Sequence, residues 1–424
     1  MPTLDYERPA AVSPLRELLT LAIPTVLQMS AYTLEQFCDT YMLAQVSDDF
    51  ATAAGQGGML AFAVLSFGFG VMMLINAMVS QSFGADKKAE CGRYLWQGIW
   101  FAVAYSVAVV PLIFIAAPVF TWMGHDERLI PLEVDYFNVS VYMIVVKMLA
   151  MALGQFLLAI NRPNVVLAAA AVGVVSNVFV NWLLITGNWG FPALGVAGAA
   201  WGTNAAMTTE LLIVGAFVFA PKIRRAYSTL QWRPETAKLK ELLRHGVPSG
   251  LQISGDVISW TIFFGYVMAF YGTATLAANN YAMQYVKIAF MPAWGFSSAV
   301  TAIVGRYVGA GDPDTAMQRA ALGLRITMTY MVSLGIALLI FQAPLMRVFT
   351  ADAETLRVAR IVLICCSGFM VFDAMFMIYM GALRGVKDTF WPMVVQLTLV
   401  WTLVVCGGLA AAVWFTHWGP SVPW

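Results

Sequence analysis

The residues of this chain best suited to chemistry are acids set inside apolar runs: Glu35, Asp39, Glu210, Asp256 and Asp373. A carboxylate facing lipid at a helix centre costs roughly 2.5 to 3.5 kcal/mol even on the mildest scale. Five of them would oppose insertion by about the whole stability of a typical protein, so they should face a cavity or one another. Glu35 and Asp39 are four residues apart and share one helix face. Asn177 and Asn181 repeat that spacing. Carboxylates with amide oxygens form the hard-oxygen set that suits a small cation such as Na+, or a bound proton. The plainer alternative is that Asp39 lies near the outer helix end and reaches water, while the asparagines only link helices.

In the second half, Gln252, Asp256 and Trp260 form one i, i+4 line that places an acid beside an aromatic surface. That pairing suits an organic cation, attracted by both the charge and the ring face. Asp373 sits among Phe369, Met370, Phe372, Phe376, Met377 and Tyr379. Met and aromatics at helical spacing are ordinary packing, but an acid embedded among them makes a binding surface. Lys147 and Lys287 also fall inside apolar runs, and each is able to neutralise one acid in a structural ion pair. Five acids against two bases still leave a negative interior, which favours small organic cations as cargo. His125, His245 and His417 lie in or near loops and are expected to be solvated. No metalloprotease helix, P-loop, aspartate-rich prenyl-diphosphate motif or Ser/His pairing occurs, so neither an enzyme nor a bound cofactor is expected.

The elements that position these residues are set by composition. The chain has 424 residues, of which 60% are hydrophobic and 11% charged, with a mean hydropathy of +0.75. Soluble domains fall well outside this range, and nothing points to a nucleic acid partner. Apolar runs of bilayer-crossing length are expected near 18–45, 52–80, 94–118, 133–158, 164–187 and 194–220, then 242–269, 275–304, 319–344, 356–382 and 389–415. These eleven spans define an all-α polytopic membrane protein. In alternate loops, 18 of the 24 Lys and Arg fall on one side, four on the other and two inside spans. Positive charge is retained on the cytoplasmic side, so the N-terminus is expected there. The first run is too long for a cleaved signal peptide. The five cysteines have neither metal nor disulfide spacing and read as small buried hydrophobes.

The chain is also written twice. Glu17, Leu18, Leu19, Pro24, Leu27 and Gln28 recur as Glu241, Leu242, Leu243, Pro248, Leu251 and Gln252 at one fixed offset. Gly84-Ala85 recurs as Gly309-Ala310, and Pro163 and Trp189-Gly190 as Pro392 and Trp418-Gly419. Two parallel six-span lobes follow, a construction common in secondary transporters: an N-lobe over 1–221, a basic linker over 222–241 and a C-lobe over 242–424. The second copy is short, so a twelfth span is expected and missing. The duplication kept scaffold rather than acids. Asp39 is fifteen residues beyond its proline and Asp256 only eight beyond its own, a difference of about 10 Å along a helix.

The residues resemble the multidrug and toxic compound extrusion (MATE) transporters, most closely the bacterial cation-coupled branch termed NorM-like. The resemblance rests on Pro24 and Gln28, Asp39-Thr40, Gln81 with Gly84-Ala85, Asn177 and Asn181, Leu194-Gly195 through Gly198-Ala199 to Thr203, and Asp373-Ala374 followed by Gly381 to Thr389. It implies an antiporter that expels cationic amphipathic compounds in exchange for Na+ or H+, with two lobes around a central cleft. Carried over, Asp39, Asn177, Asn181 and Thr203 match the family's N-lobe cation site, with Glu35 beside it. Asp256 matches an acidic position of span seven and Asp373 the aspartate of span ten, as residues for substrate or proton coupling. The shorter Asp256 side chain and the in-span lysines depart from the family pattern. The resemblance implies a monomer in the lipid bilayer of the inner membrane. The alternatives are a lipid-linked oligosaccharide flippase of the same superfamily, which would need a more cationic cavity, and, remotely, an intramembrane enzyme.

Overall fold

A computed structural model describes residues 13–263, 273–347 and 353–414. Its helices are α1 (Pro14–Ala44), α2 (Asp48–Gly84), α3 (Lys88–Val109), α4 (Ala116–Trp122), α5 (Ile130–Tyr142), α6 (Ile144–Ala159), α7 (Pro163–Ile185), α8 (Val196–Val218) and α9 (Pro221–Tyr227). There follow α10 (Thr236–Ile262), α11 (Thr273–Gly309), α12 (Pro313–Arg347), α13 (Ala353–Gly385), α14 (Phe390–Leu399) and α15 (Gly408–Trp414), the last two joined by a π-helical stretch.

Local chemistry sets several boundaries. Ser13 caps α1 by accepting from the Arg16 amide at 3.4 Å, with Pro14 at the first helical position. That position suits proline because its missing N–H has no helical partner there. Ser47 caps α2, whose first turn holds Asp48 and Asp49 against the positive helix end. The chain leaves α2 through a left-handed Asp86 (φ 55°) and α11 through a left-handed Gly311 (φ 78°). Those two turns occupy equivalent places in the sequence repeat. Helices α1 and α10 both continue through their internal prolines, Pro24 and Pro248.

Among the described residues, seven helices are long and apolar enough to cross a bilayer, or nine when two bent pairs each count as one span. The bent pairs are α5 with α6, at 48°, and α8 with α9, at 67°. Helices α1 and α10, of 31 and 27 residues, occupy the first and seventh of the eleven expected runs but are too polar to be counted among those nine. The expected recurrence at Trp418-Gly419, His417 and residues 264–269 of the seventh span lie outside the described residues.

One apolar core joins α2, α3, α6, α7 and α8, and a second joins α11, α12 and α13. A third lies between the halves, where Leu18, Leu21 and Ala22 of α1 meet Ala299, Val300 and Ile303 of α11. The leading helix of each half leans on the other half: α1 on α11, and α10 on α2.

The segment 222–241 holds most of α9, a strap tied along α3 and the start of α10; the Trp96 and Trp100 indoles donate to the strap carbonyls of Thr229 (2.8 Å) and Trp232 (2.9 Å). One expectation needs correction: the cysteines are not uniformly buried, since Cys91 and Cys366 are buried, Cys38 and Cys365 partly so, and Cys406 is exposed.

Candidate functional site

Four polar residues of α1, Gln28, Tyr32, Glu35 and Asp39, are spaced four, three and four apart and so form one stripe on the helix. The stripe meets α7 and α8. Asp39 Oδ1 accepts from Asn177 Nδ2 at 2.9 Å and from Asn181 Nδ2, while Oδ2 accepts from Thr203 Oγ1 at 2.9 Å. The two asparagines are themselves linked, Asn181 Nδ2 donating to Asn177 Oδ1 at 3.1 Å. Glu35 Oε1 lies 3.4 Å from Asn177 Nδ2.

All four residues expected to surround Asp39 are therefore brought together from three helices. The alternative of a water-exposed Asp39 does not hold, since the residue is 8% exposed. Close approach of α7 and α8 makes the cluster possible. A Cβ on Gly202 of α8 would collide with Asn181 Oδ1, so only glycine leaves room for the amide between the helices. Gly198 and Gly202, four apart in the sequence, are the signal for that contact.

Lys147, left without an assigned partner by the sequence, extends from α6 toward this cluster. Its charge acts on Glu35 and Asp39, although it makes no direct ion pair among the described residues. Lys287 has a different setting, with an exposed side chain on α11. Glu210 of α8 completes the polar interior of this half. Its Oε2 accepts from Tyr32 OH at 2.9 Å, and Tyr32 OH accepts from Gln28 Nε2 at 2.9 Å. Tyr32 is not singled out by composition or motif, yet its place on the stripe marks it.

In the second half, Asp256 Oδ1 accepts from Gln396 Nε2 of α14 at 3.1 Å. Gln252 Nε2 in turn donates to Gln396 Oε1 and approaches Met380 Sδ at 3.1 Å. Trp260 interacts with the same carboxylate, as the i, i+4 line predicts. Gln396, which the sequence reading overlooks, is the one amide in the apolar α14. The glutamine copied by the repeat thus heads a polar chain in each half, Gln28 to Tyr32 and Glu210, and Gln252 to Gln396 and Asp256.

Asp373 of α13 is close enough to Asp256 for their charges to repel. The apolar residues around it do not form one surface: Met370, Ala374 and Met377 belong to the core against α11 and α12, while Phe369, Phe372 and Tyr379 are exposed. A stripe of one composition is divided because a helix presents opposite faces every two residues or so.

His125 departs from its expected solvated state. Its Nδ1 lies 2.9 Å from both carboxylate oxygens of the buried Glu133, across the start of α5. No cluster of three or more His, Cys, Asp or Glu able to hold a metal occurs among the described residues.

Comparison with known proteins bears on the whole chain. Residues 24–183 and 257–416 each match the family model described as MatE. A probable multidrug resistance protein NorM of Rhizobium meliloti is 27% identical over 403 residues, covering 92% of this chain and 84% of that protein. The protein of the same name from Pseudomonas aeruginosa is 28% identical over 420 residues, covering 97% and 85%. Among solved structures, a MOP superfamily transporter from Pyrococcus furiosus superposes with a TM-score of 0.87 at 18% identity, covering 97% of this chain and 91% of its own. The eukaryotic MATE transporter AtDTX14 gives 0.87 at 15% identity with the same coverage.

Proposed function

This chain belongs to the MatE family of multi-pass membrane transporters, and on that premise we propose that it is a secondary antiporter exporting cationic amphipathic compounds in exchange for Na+ or H+. It is a transporter and not an enzyme, and its relatives carry the name of multidrug resistance proteins. The reading places it in the inner membrane as a monomer with its N-terminus cytoplasmic, and divides it into lobes 1–221 and 242–424 joined through 222–241.

The observation that carries the proposal is the Asp39 carboxylate, buried and surrounded by donors from Asn177, Asn181 and Thr203. The three donors offset part of the cost of charge on this buried carboxylate, which suits the site to a cation. Rotation of either asparagine amide replaces an N–H2 by an oxygen, so the same residues with Thr203 and Glu35 offer Na+ an oxygen set. A proton needs only the carboxylate. The acid pair Asp256 and Asp373, with Gln252 and Trp260, is the second cationic attractor and supports binding of organic cations or protons there.

Antiport follows when ion and cargo favour opposite-facing states, so that each drives release of the other. The test is accumulation of a fluorescent cation in proteoliposomes, with Na+ and pH gradients imposed separately. Accumulation under at least one gradient, lost in Asp39→Asn and Asp373→Asn, is expected. Absence of accumulation under both gradients, or wild-type rates in both variants, would sink the proposal.

A further inference from the structure

Glu210 and Asp39 are both buried acids of the first half, yet their surroundings differ in kind. Asp39 receives three side-chain donors and the field of Lys147. Glu210, 4% exposed, receives one, from Tyr32. A phenol has a single proton to give. Tyr32 OH accepts from Gln28, so that proton is committed to Glu210 Oε2. The other oxygen, Oε1, is enclosed and has no hydrogen-bond partner among the described residues. It lies against the backbone of α7 at Gly173, where a Cβ would stand 3.3 Å from it. No cation forms an ion pair with Glu210 among the described residues. Lys147 acts on Glu35 and Asp39 rather than on Glu210.

An ionised carboxylate with one donor and one bare oxygen in an apolar enclosure is far costlier than the neutral acid. We propose that Glu210 is a second proton-binding site of this chain, a neutral carboxyl held by Tyr32 and distinct from the cation site at Asp39. Among the described residues, the titratable groups of this interior are Tyr32, Glu35, Cys38 and Asp39 on α1, Tyr136 on α5 and Lys147 on α6; α7 contributes Ser176 and the asparagines, none of which titrates. Asp39 and Glu210 both act electrostatically on Glu35, which lies between them and so links the two sites. A cation entering beside Asp39 adds positive charge to this interior and eases release of the Glu210 proton, and by linkage the proton weakens the cation. Its part in transport rests on the antiport reading; protonation of Glu210 stands on the enclosure alone.

Infrared spectra of the full chain in lipid separate the two. The carbonyl stretch of a neutral carboxyl lies apart from that of carboxylates. At neutral pH the wild type is expected to show such a band, lost in Glu210→Gln, retained in Asp39→Asn, and shifted to higher frequency in Tyr32→Phe, which removes its hydrogen bond. Coincident spectra for wild type and Glu210→Gln, or a band that Tyr32→Phe leaves in place, overturn the assignment. A wild type that shows the band but accumulates no fluorescent cation under either gradient overturns the antiport reading and leaves the proton site standing.

Discussion

Gly84 at the end of α2 and Gly309 at the end of α11 lie at equivalent places in the repeat, each pressed against the other's helix. A Cβ on Gly84 would strike the Arg306 carbonyl, and a Cβ on Gly309 the Gln81 carbonyl. Around them, Gln81 Nε2 donates to the Gly385 carbonyl at 2.8 Å and Asn76 Nδ2 to the Ser298 carbonyl at 3.1 Å, both across the halves. The basic end of the bundle is therefore joined by backbone-to-backbone contact, which no flexible side chain is there to relieve.

Gly84→Val is expected to force these helices apart. Overpacking of this kind costs about 1–3 kcal/mol. A lower thermal unfolding midpoint in detergent, reproduced by Gly309→Val, is the expected result. Unchanged midpoints for both would mean that the crossing is looser than the geometry states.

At Asp39 the donors and the acceptor should separate in their effects. Thr203→Ala removes one hydrogen bond of three, a change of about 1.5–3 kcal/mol for a charged acceptor, and is expected to weaken ion-driven uptake while retaining it. Asp39→Asn removes the anion itself and is expected to abolish uptake. Initial rates in proteoliposomes against ion concentration check this. Equal loss in the two variants would mean that Thr203 does more than donate.

The acids and the asparagines were legible in the sequence because an ionisable group in an apolar run has few ways to persist, and because spacing of four puts partners on one face. The partners across helices were not legible. Nothing in the spacing of α14 says that Gln396 meets Asp256, or that Tyr32 rather than an amide meets Glu210, since such contacts depend on how helices rotate against each other. Gly202 shows the limit well. Its place in a four-residue glycine pair signals close packing, but not that the side chain it admits is Asn181. The repeat reads as scaffold, yet its copied glutamines are members of polar chains.

His125 at the far end of the bundle offers a simpler check. Glu133 is 1% exposed and has both oxygens 2.9 Å from His125 Nδ1. His125→Ala leaves that carboxylate without this partner. A buried polar group deprived in this way costs about 1–3 kcal/mol, whereas an exposed loop histidine would cost nothing. A drop in thermal midpoint in His125→Ala that Glu133→Gln partly restores is expected; no drop would mean that Glu133 finds another donor.

The two repeat-related glutamates at the basic end make the last prediction. Glu17 of α1 accepts from Arg319 Nε at 2.9 Å and Tyr307 OH at 3.0 Å, with Arg306 Nη1 at 3.7 Å, all from the second half. Glu241 of α10 accepts from Tyr94 OH at 2.7 Å, in the first half, and from Lys387 Nζ at 2.9 Å, in its own. Each glutamate thus crosses between halves, but Glu17 does so with charged partners, and those partners are largely buried. Arg306 is 3% exposed and has two nitrogens without a hydrogen-bond partner among the described residues, so loss of Glu17 strands a cation as well as a bond. The closed basic end should therefore depend more on Glu17 than on Glu241. Removing one charged hydrogen bond at about 1.5–3 kcal/mol changes the ratio of closed to separated states by roughly tenfold or more. Spin labels at the exposed Lys88 and Asp314, in a background freed of native cysteines, report the distance between the halves. A second, longer distance is expected in Glu17→Gln and should be smaller or absent in Glu241→Gln. The reverse order would show that the Tyr94 contact, and not the buried arginines, holds this end together.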